Sequence, residues 1–231
     1  MANVNGMYGE KVWEEKIKSQ DEIGVIAGTV SSIEEIKRRT VEGMKLVDHS
    51  VIPLIKKKGR VLDLGVGPLA RFAIEFSKRG YKVFGMDISE TTLEYAKRNI
   101  EKESLKIDLV KEDITKLNMP EGKFDLIYCL ATFYHVPPHL AGISLLKINQ
   151  KLNPGGYALI EFGLLQKKKA KDYFWSPIYW VGHYFKRLIG QGFNVNVSRF
   201  NRREINEMLD RSGFKVIEVL KNDWYLLKKI R

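Results

Sequence analysis

The stretch Val61-Leu62-Asp63-Leu64-Gly65-Val66-Gly67-Pro68, answered by Asp87 at the end of the next apolar run, constrains this chain more than any other. An apolar strand ending in a glycine turn brings its backbone close to a ligand, because glycine has no side chain and tolerates φ > 0. An acid about 20 residues further on, at the tip of the neighbouring strand, is placed to accept hydrogen bonds from ribose hydroxyls. The pattern predicts a nucleotide at the carboxyl edge of a parallel sheet. Gly65-Val66-Gly67-Pro68-Leu69-Ala70 also satisfies the dinucleotide pattern G-x-G-x-x-G/A, so the turn by itself leaves NAD and other adenosine ligands open.

From Arg60 to Phe162 strand and helix patterns alternate, which implies parallel strands joined by right-handed crossovers. The strands read Arg60–Leu64, Lys82–Asp87, Lys106–Val110, Phe124–Leu130 and Tyr157–Phe162. Helical spacing of apolar residues appears at Phe72, Ile74, Phe76, then at Leu93, Ala96, Ile100 with Ser89 as N-cap, and at Leu140, Ile143, Leu146, Ile148, Leu152. Asn153-Pro154-Gly155-Gly156 is a turn signal that stops the third helix. Upstream, Ser31-Ser32-Ile33-Glu34 reads as a capping box ahead of Ile33, Ile36, Val41, Met44, Val47 and Val51, a helix that packs on the core or covers a cleft. Downstream, a helix over Glu204–Arg211 ends at Gly213, and Phe214–Leu220 and Trp224–Ile230 form a hairpin. The expected fold is α/β, a doubly wound, mostly parallel seven-stranded sheet with an antiparallel last strand, a helical N-terminal cap and an insertion before the last helix. One domain over 1–231 is expected, divided into a cap (1–57), a cofactor-binding core (60–162), an aromatic and basic insertion (163–199) and a C-terminal helix and hairpin (200–231).

Three further features narrow the ligand. Asp63 stands two residues before Gly65, where a dinucleotide-binding strand carries an apolar residue; an acid there can orient the glycine-turn amides or bind a ligand ammonium group. Glu112-Asp113-Ile114 sets an acid beside an apolar residue at the same sheet edge, able to accept from an adenine amino group and pack on the ring. Phe124-Asp125-Leu126-Ile127-Tyr128-Cys129 is followed by Leu152-Asn153-Pro154-Gly155-Gly156. With the terminal hairpin, this ordered set resembles the class I S-adenosylmethionine-dependent methyltransferases, with a methyltransferase type 11/25-like domain.

The resemblance covers Arg60 to Phe162 and, more loosely, the hairpin. It implies S-adenosylmethionine as cofactor and S-adenosylhomocysteine as product. It implies Gly65, Val66 and Gly67 against the methionine part, Asp63 at the amino group, Asp87 on the ribose, Ile88 flanking the adenine, Asp113 and Ile114 at its edge and face, and Leu130 near the sulfonium. Asp125 is read as a support of the fold. The family commonly continues G-x-G-x-G, whereas Pro68-Leu69-Ala70 replaces the third glycine here; proline is tolerated in the first turn of a helix.

The fourth strand runs into Ala131-Thr132-Phe133-Tyr134-His135-Val136-Pro137-Pro138, an aromatic loop at the ligand-binding edge. His135 is the candidate proton acceptor and Tyr134 a polar contact for the acceptor; a role for His135 within the loop alone is the competing reading. The segment Tyr173 to Phe185, flanked by Lys167–Lys171 and Lys186-Arg187, reads as a lid over an apolar acceptor, as a contact with anionic membrane, or as a nucleic-acid platform. A small-molecule or lipid-like acceptor is expected, and nucleic acid less so, because Val136-Pro137-Pro138-His139 does not match a base-methylating motif. An NAD-dependent oxidoreductase, a non-catalytic adenosine-nucleotide module and an RNA methyltransferase are the alternatives. The single Cys129 excludes an internal disulfide and a multi-cysteine zinc site, and no metal site is expected. With no apolar run of transmembrane length and no signal-peptide pattern, a cytoplasmic location is expected. The net charge of +11 is spread over most helices and decides no partner.

Overall fold

The computed structural model describes residues 9–18, 33–118, 120–164 and 198–231. The aromatic segment Tyr173 to Phe185 and the Ser31-Ser32 part of the expected capping box lie outside the described residues. In chain order the elements are α1 (Glu10–Lys18), α2 (Ile33–Ser50), β1 (Arg60–Leu64), α3 (Arg71–Lys78), β2 (Lys82–Asp87), α4 (Glu90–Lys102), β3 (Asp108–Lys111), β4 (Phe124–Cys129), α5 (Pro138–Lys151), β5 (Leu152–Glu161), α6 (Arg202–Arg211), β6 (Phe214–Leu220) and β7 (Trp224–Lys229).

The seven strands lie in the order β3-β2-β1-β4-β5-β7-β6. β1 pairs in parallel with β2 and with β4, and β7 runs antiparallel between β5 and β6. This is the expected sheet. Alternation along the central strands divides the core into two layers. Leu62, Leu64, Ile127 and Ile160 face a cluster with Ala141, Leu145, Ile148, Ile205 and Leu209 of α5 and α6. Val61, Leu126, Tyr128 and Leu159 face the opposite cluster with α2, α3 and α4. Two-residue periodicity thus assigns every second β1 side chain to the second layer, and Asp63 shares that layer with Tyr128, its neighbour in the β1–β4 register.

The helices form where their apolar faces are continuous. In α3, Phe72, Ala73, Ile74 and Phe76 are all buried, with Phe76 stacked on Tyr128 at 5.0 Å and Phe72 edge-on to Trp224 at 5.9 Å. Ser89 caps α4 by accepting from the Thr92 amide, as its position before the apolar run predicts. Asn201 and Glu204 close a full capping box on α6. Asp125 accepts from the Arg60 amide and the Asn153 side chain, which ties β1, β4 and β5 together at the edge away from the glycine turn.

Three details differ from the sequence reading. α5 buries Ala141, Ser144, Leu145, Ile148 and Asn149, and leaves Ile143 and Leu146 exposed. The face turned to the core carries Leu145 and Ile148 together with the smaller Ala141 and Ser144. β5 starts at Leu152, so Asn153-Pro154-Gly155-Gly156 forms the irregularity between the Phe124–Leu152 and Leu126–Tyr157 pairings rather than a turn before the strand. In α2, Ile36, Met44 and Val47 are buried while Ile33 and Val41 are exposed.

Gly43 of α2 lets the Phe72 and Trp224 rings approach: a Cβ there would meet both at 2.9 Å. Gly43→Ala is expected to lower the unfolding free energy by about 1–2 kcal/mol, the cost of overpacking outweighing a helix-propensity gain of about 1 kcal/mol. The urea midpoint of purified protein measures this, and an unchanged or raised midpoint contradicts the packing assigned to α2.

Candidate active site

At the carboxyl edge the chain leaves β1 for β2 on one side and β4 lies on the other, which opens a crevice at the switch in connection direction. The glycine turn lines it. Gly65 stands at φ +79, and its Cβ, if it had one, would lie 2.2 Å from the Thr132 hydroxyl oxygen. Gly67 stands at φ +65 with open space where a Cβ would be. The Gly65 and Val66 amides donate to the Met86 carbonyl at 2.8 and 2.9 Å, and the Gly67 amide donates to Asp87 Oδ2 at 3.3 Å. Of the two roles open to Asp63, orienting the turn amides thus falls to β2 instead.

The loop that departs from G-x-G-x-G has a definite path. Ala70 donates back to the Gly67 carbonyl at 3.2 Å and takes φ +46, and Asn99 of α4 donates to the Pro68 carbonyl at 3.0 Å. The tight turn brings Arg71, the first residue of α3, over the crevice. Burial lowers the Arg71 pKa, and the charges of Asp63 and Glu161 oppose that effect. Its neighbours Asp63 and Glu161 act on it through charge.

Burial dominates the acids. It raises the Asp63 carboxyl to about 7; the Asp87 charge adds to the rise, while Tyr128 and Arg71 oppose it. The Tyr128 hydroxyl is buried beside Asp63 yet completes no hydrogen bond of full geometry. Burial likewise raises Asp87 to about 6 against the amides of Ser89, Gly67 and Ile88, with the Glu14 charge adding to the rise. Two desolvated acids and a buried guanidinium beside them fit a ligand that carries an ammonium, a carboxylate and a pair of hydroxyls.

The remaining sequence candidates divide. Ile88 is half-buried at the crevice next to Asp87. Asp113 directs Oδ1 to the Thr115 amide and hydroxyl at 2.8 and 2.9 Å, so one oxygen already caps a local turn. Ile114 packs with Phe84, Met86 and Phe133 inside the core rather than at the crevice surface. Val66 and Leu130 are buried at its wall on the layer shared with α3. Among the described residues no three His, Cys, Asp or Glu side chains gather to hold a metal ion. Burial pushes the Cys129 thiol well above its ordinary value.

On the far side of Leu130, Thr132 rests on the glycine turn, and Phe133–His135 form a short 3-10 turn closed by the His135 amide on the Thr132 carbonyl. Tyr134 is pushed up to about 12 by burial and then by the Glu161 charge, so its phenol stays protonated. The His135 ring meets Trp13 of α1 at 5.0 Å and Tyr134 at 4.5 Å. α1 runs from there towards α4 and the end of β3. Glu14 accepts from the Thr91 amide and hydroxyl at 3.1 and 2.7 Å, and Lys111 pairs with Glu10 at 2.7 Å.

Sequence reasoning missed Arg71, Glu161, Thr132, Trp13 and Glu14. Arg71 carried a signal, as a cation at the end of the irregular loop; the others become visible only when distant elements meet. Among the described residues no helix is long and apolar enough to cross a membrane.

Residues 61–156 match the family model of a methyltransferase domain. Carboxy-S-adenosyl-L-methionine synthase of Campylobacter hominis is 26% identical over 226 residues, spanning 91% of this chain and 94% of its own. Ubiquinone biosynthesis O-methyltransferase of Coxiella burnetii is 25% identical over 175 residues, 75% of this chain and 71% of that one. Magnesium protoporphyrin IX methyltransferase of Synechocystis, solved with S-adenosylhomocysteine bound, superposes with a TM-score of 0.58 at 16% identity, covering 98% of this chain and 95% of that one. Residues 61–156 thus form a methyltransferase domain on a Rossmann-like seven-stranded sheet of the S-adenosylmethionine-dependent type.

Proposed function

We propose that the chain moves the methyl group of S-adenosylmethionine to a small or amphipathic acceptor that enters beside Leu130, Tyr134 and His135. The observation that carries this reading is the row of groups across the crevice: Asp63 and Arg71, oppositely charged neighbours, at the glycine turn, and Asp87 at the tip of β2. Asp63 takes the ammonium of the methionine end and Arg71 its carboxylate, while Asp87 accepts from the ribose hydroxyls. Ile88 and Asp113 address the adenine, and Ile114 supports that wall from within the core. Gly65, Val66 and Gly67 leave the backbone room to approach.

When bound, the cofactor supplies an electrophilic methyl on a sulfonium. The protein's part is positioning, since holding donor and acceptor in line removes much of the barrier. Leu130 flanks the methyl, Tyr134 donates a hydrogen bond to the acceptor, and His135 accepts its proton where the acceptor arrives protonated. Quinone and porphyrin methyltransferases among the relatives support a small, largely apolar acceptor. A membrane surface as the source of that acceptor is part of this proposal, tested by flotation with anionic vesicles at low and moderate salt. Near full-length similarity to a carboxy-S-adenosyl-L-methionine synthase supports a second reading, in which the cofactor itself is modified. Mass spectrometry of the nucleoside products separates the two.

Calorimetric titration tests the cofactor reading: S-adenosylhomocysteine binds and NAD does not, and the reverse would overturn it. Arg71→Ala is expected to weaken S-adenosylhomocysteine by about tenfold or more, the scale of a charge-assisted hydrogen bond. A cofactor analogue lacking the carboxylate should lose little. Equal losses for both ligands contradict the assignment. His135→Ala should depress turnover more than cofactor affinity, and unchanged turnover removes it from the chemistry.

The raised acids fix a pH dependence. In the unfolded chain both aspartates ionise near their ordinary value, whereas folded Asp63 and Asp87 hold their protons to about 7 and about 6. The folded state therefore binds more protons between roughly pH 4 and 7, and these two groups make the ligand-free protein less stable as pH rises through that window. A bound ammonium favours the ionised form of Asp63, so affinity for S-adenosylhomocysteine rises over the same window with proton release. Thermal melts with and without ligand from pH 5 to 8 read both trends, and Asp63→Asn should flatten the affinity profile.

A further inference from the structure

Ala131 is the first residue after Leu130 and stands at φ +57 without being glycine. For an L-residue with a Cβ this region is disfavoured, and it persists where the surroundings over-determine it. Regular pairing of β4 with β5 ends at Cys129 and Ile160, so the ladder does not hold this turn. A side chain does. Glu161, the last residue of β5, accepts the Ala131 amide on Oε2 at 2.7 Å.

Glu161 is itself fixed from several sides. Its backbone pairs with Trp224 of β7, and the Trp224 indole and the Arg71 charge both favour its ionised form against burial, which raises its pKa. Downstream of the turn, Thr132 rests against Gly65 and its hydroxyl lies 3.3 Å from the Leu130 carbonyl, so the direction taken at Ala131 sets both the wall of the crevice and the 3-10 turn that carries Tyr134 and His135.

We propose that Glu161 is a positioning residue: by holding Ala131 in its left-handed turn it seats Leu130 and Thr132 against the methyl end of the cofactor and His135 towards the acceptor. The clamp rests on the functional reading above only for what the loop is seated against. The fold of the loop itself is a separate quantity and can be measured without ligand. Glutamine at 161 keeps an oxygen acceptor, alanine removes it, and glycine at 131 adopts φ near +57 at no steric cost, which makes the clamp dispensable.

The test follows amide hydrogen exchange over residues 130–136 and calorimetric affinity for S-adenosylmethionine in the wild type, Glu161→Gln, Glu161→Ala and the double variant Glu161→Ala with Ala131→Gly. Glu161→Ala is expected to speed exchange at Ala131 and weaken S-adenosylmethionine, each by about tenfold, as for loss of a hydrogen bond to a charged group. Glu161→Gln should stay within about threefold of wild type, and Ala131→Gly added to Glu161→Ala should recover most of both losses. A merely structural role for Glu161 elsewhere in the sheet would not be rescued at position 131. Exchange and affinity unchanged in Glu161→Ala, or losses that glycine does not recover, would overturn the clamp. A wild type that binds no S-adenosylmethionine would instead defeat the functional reading, and the exchange measurements alone would then decide the clamp.

Discussion

Parallel pairing of β1 with β2 on one side and β4 on the other is the constraint on which the site depends. The chain leaves β1 towards β2 and returns to β4 across the sheet, so the loops after β1 and β4 diverge and leave a crevice between them. That pairing places the two loops that line the crevice. The Met86 carbonyl and the Asp87 side chain at the end of β2 hold the glycine turn, and Thr132 beyond β4 closes on it from the other side. Bulk at Gly65 would push these two loops apart, which makes that position structural as well as permissive.

The same pairing buries charge. Holding Asp63 ionised near neutral pH, against a pKa of about 7, costs on the order of 4 kcal/mol relative to water. Against a whole-domain stability of about 5–15 kcal/mol, that is a large local strain. A ligand ammonium at Asp63 relieves it, as an anionic group relieves Arg71. Desolvation that weakens the empty protein thus strengthens its grip on a zwitterion, because opposite charges attract more in a low dielectric than in water. Glu161 belongs to the same electrostatic row and links it to the acceptor loop through a single amide.

The central sheet was legible because its signals are local: alternating apolar runs, Ser89 before a helical pattern, and an acid at a fixed distance from a glycine turn. Asp63, Gly65, Gly67 and Asp87 do come together, since one strand pair carries all four. An acid beside an apolar residue after the third strand marks Asp113 and Ile114, and the structure turns one towards Thr115 and the other into the core. β5 starts before its Pro-Gly-Gly signal because parallel pairing with Phe124 outweighs the turn preference there. The exposed Ile143 and Leu146 show the opposite limit: helical spacing locates α5 without saying which face the sheet selects. Glu161 and Trp13 meet the site only through tertiary packing, so no spacing in the chain announces them, whereas Arg71 stands in the sequence as the cation that ends the irregular loop.

A crystal structure of the protein with S-adenosylhomocysteine tests the central claim most directly. The account predicts the ligand in the crevice between the loops after β1 and β4, its ammonium within hydrogen-bond reach of Asp63, its carboxylate at Arg71 and its ribose hydroxyls on Asp87. A ligand seated elsewhere, or one in the crevice with Asp63 and Asp87 both unengaged, would contradict it.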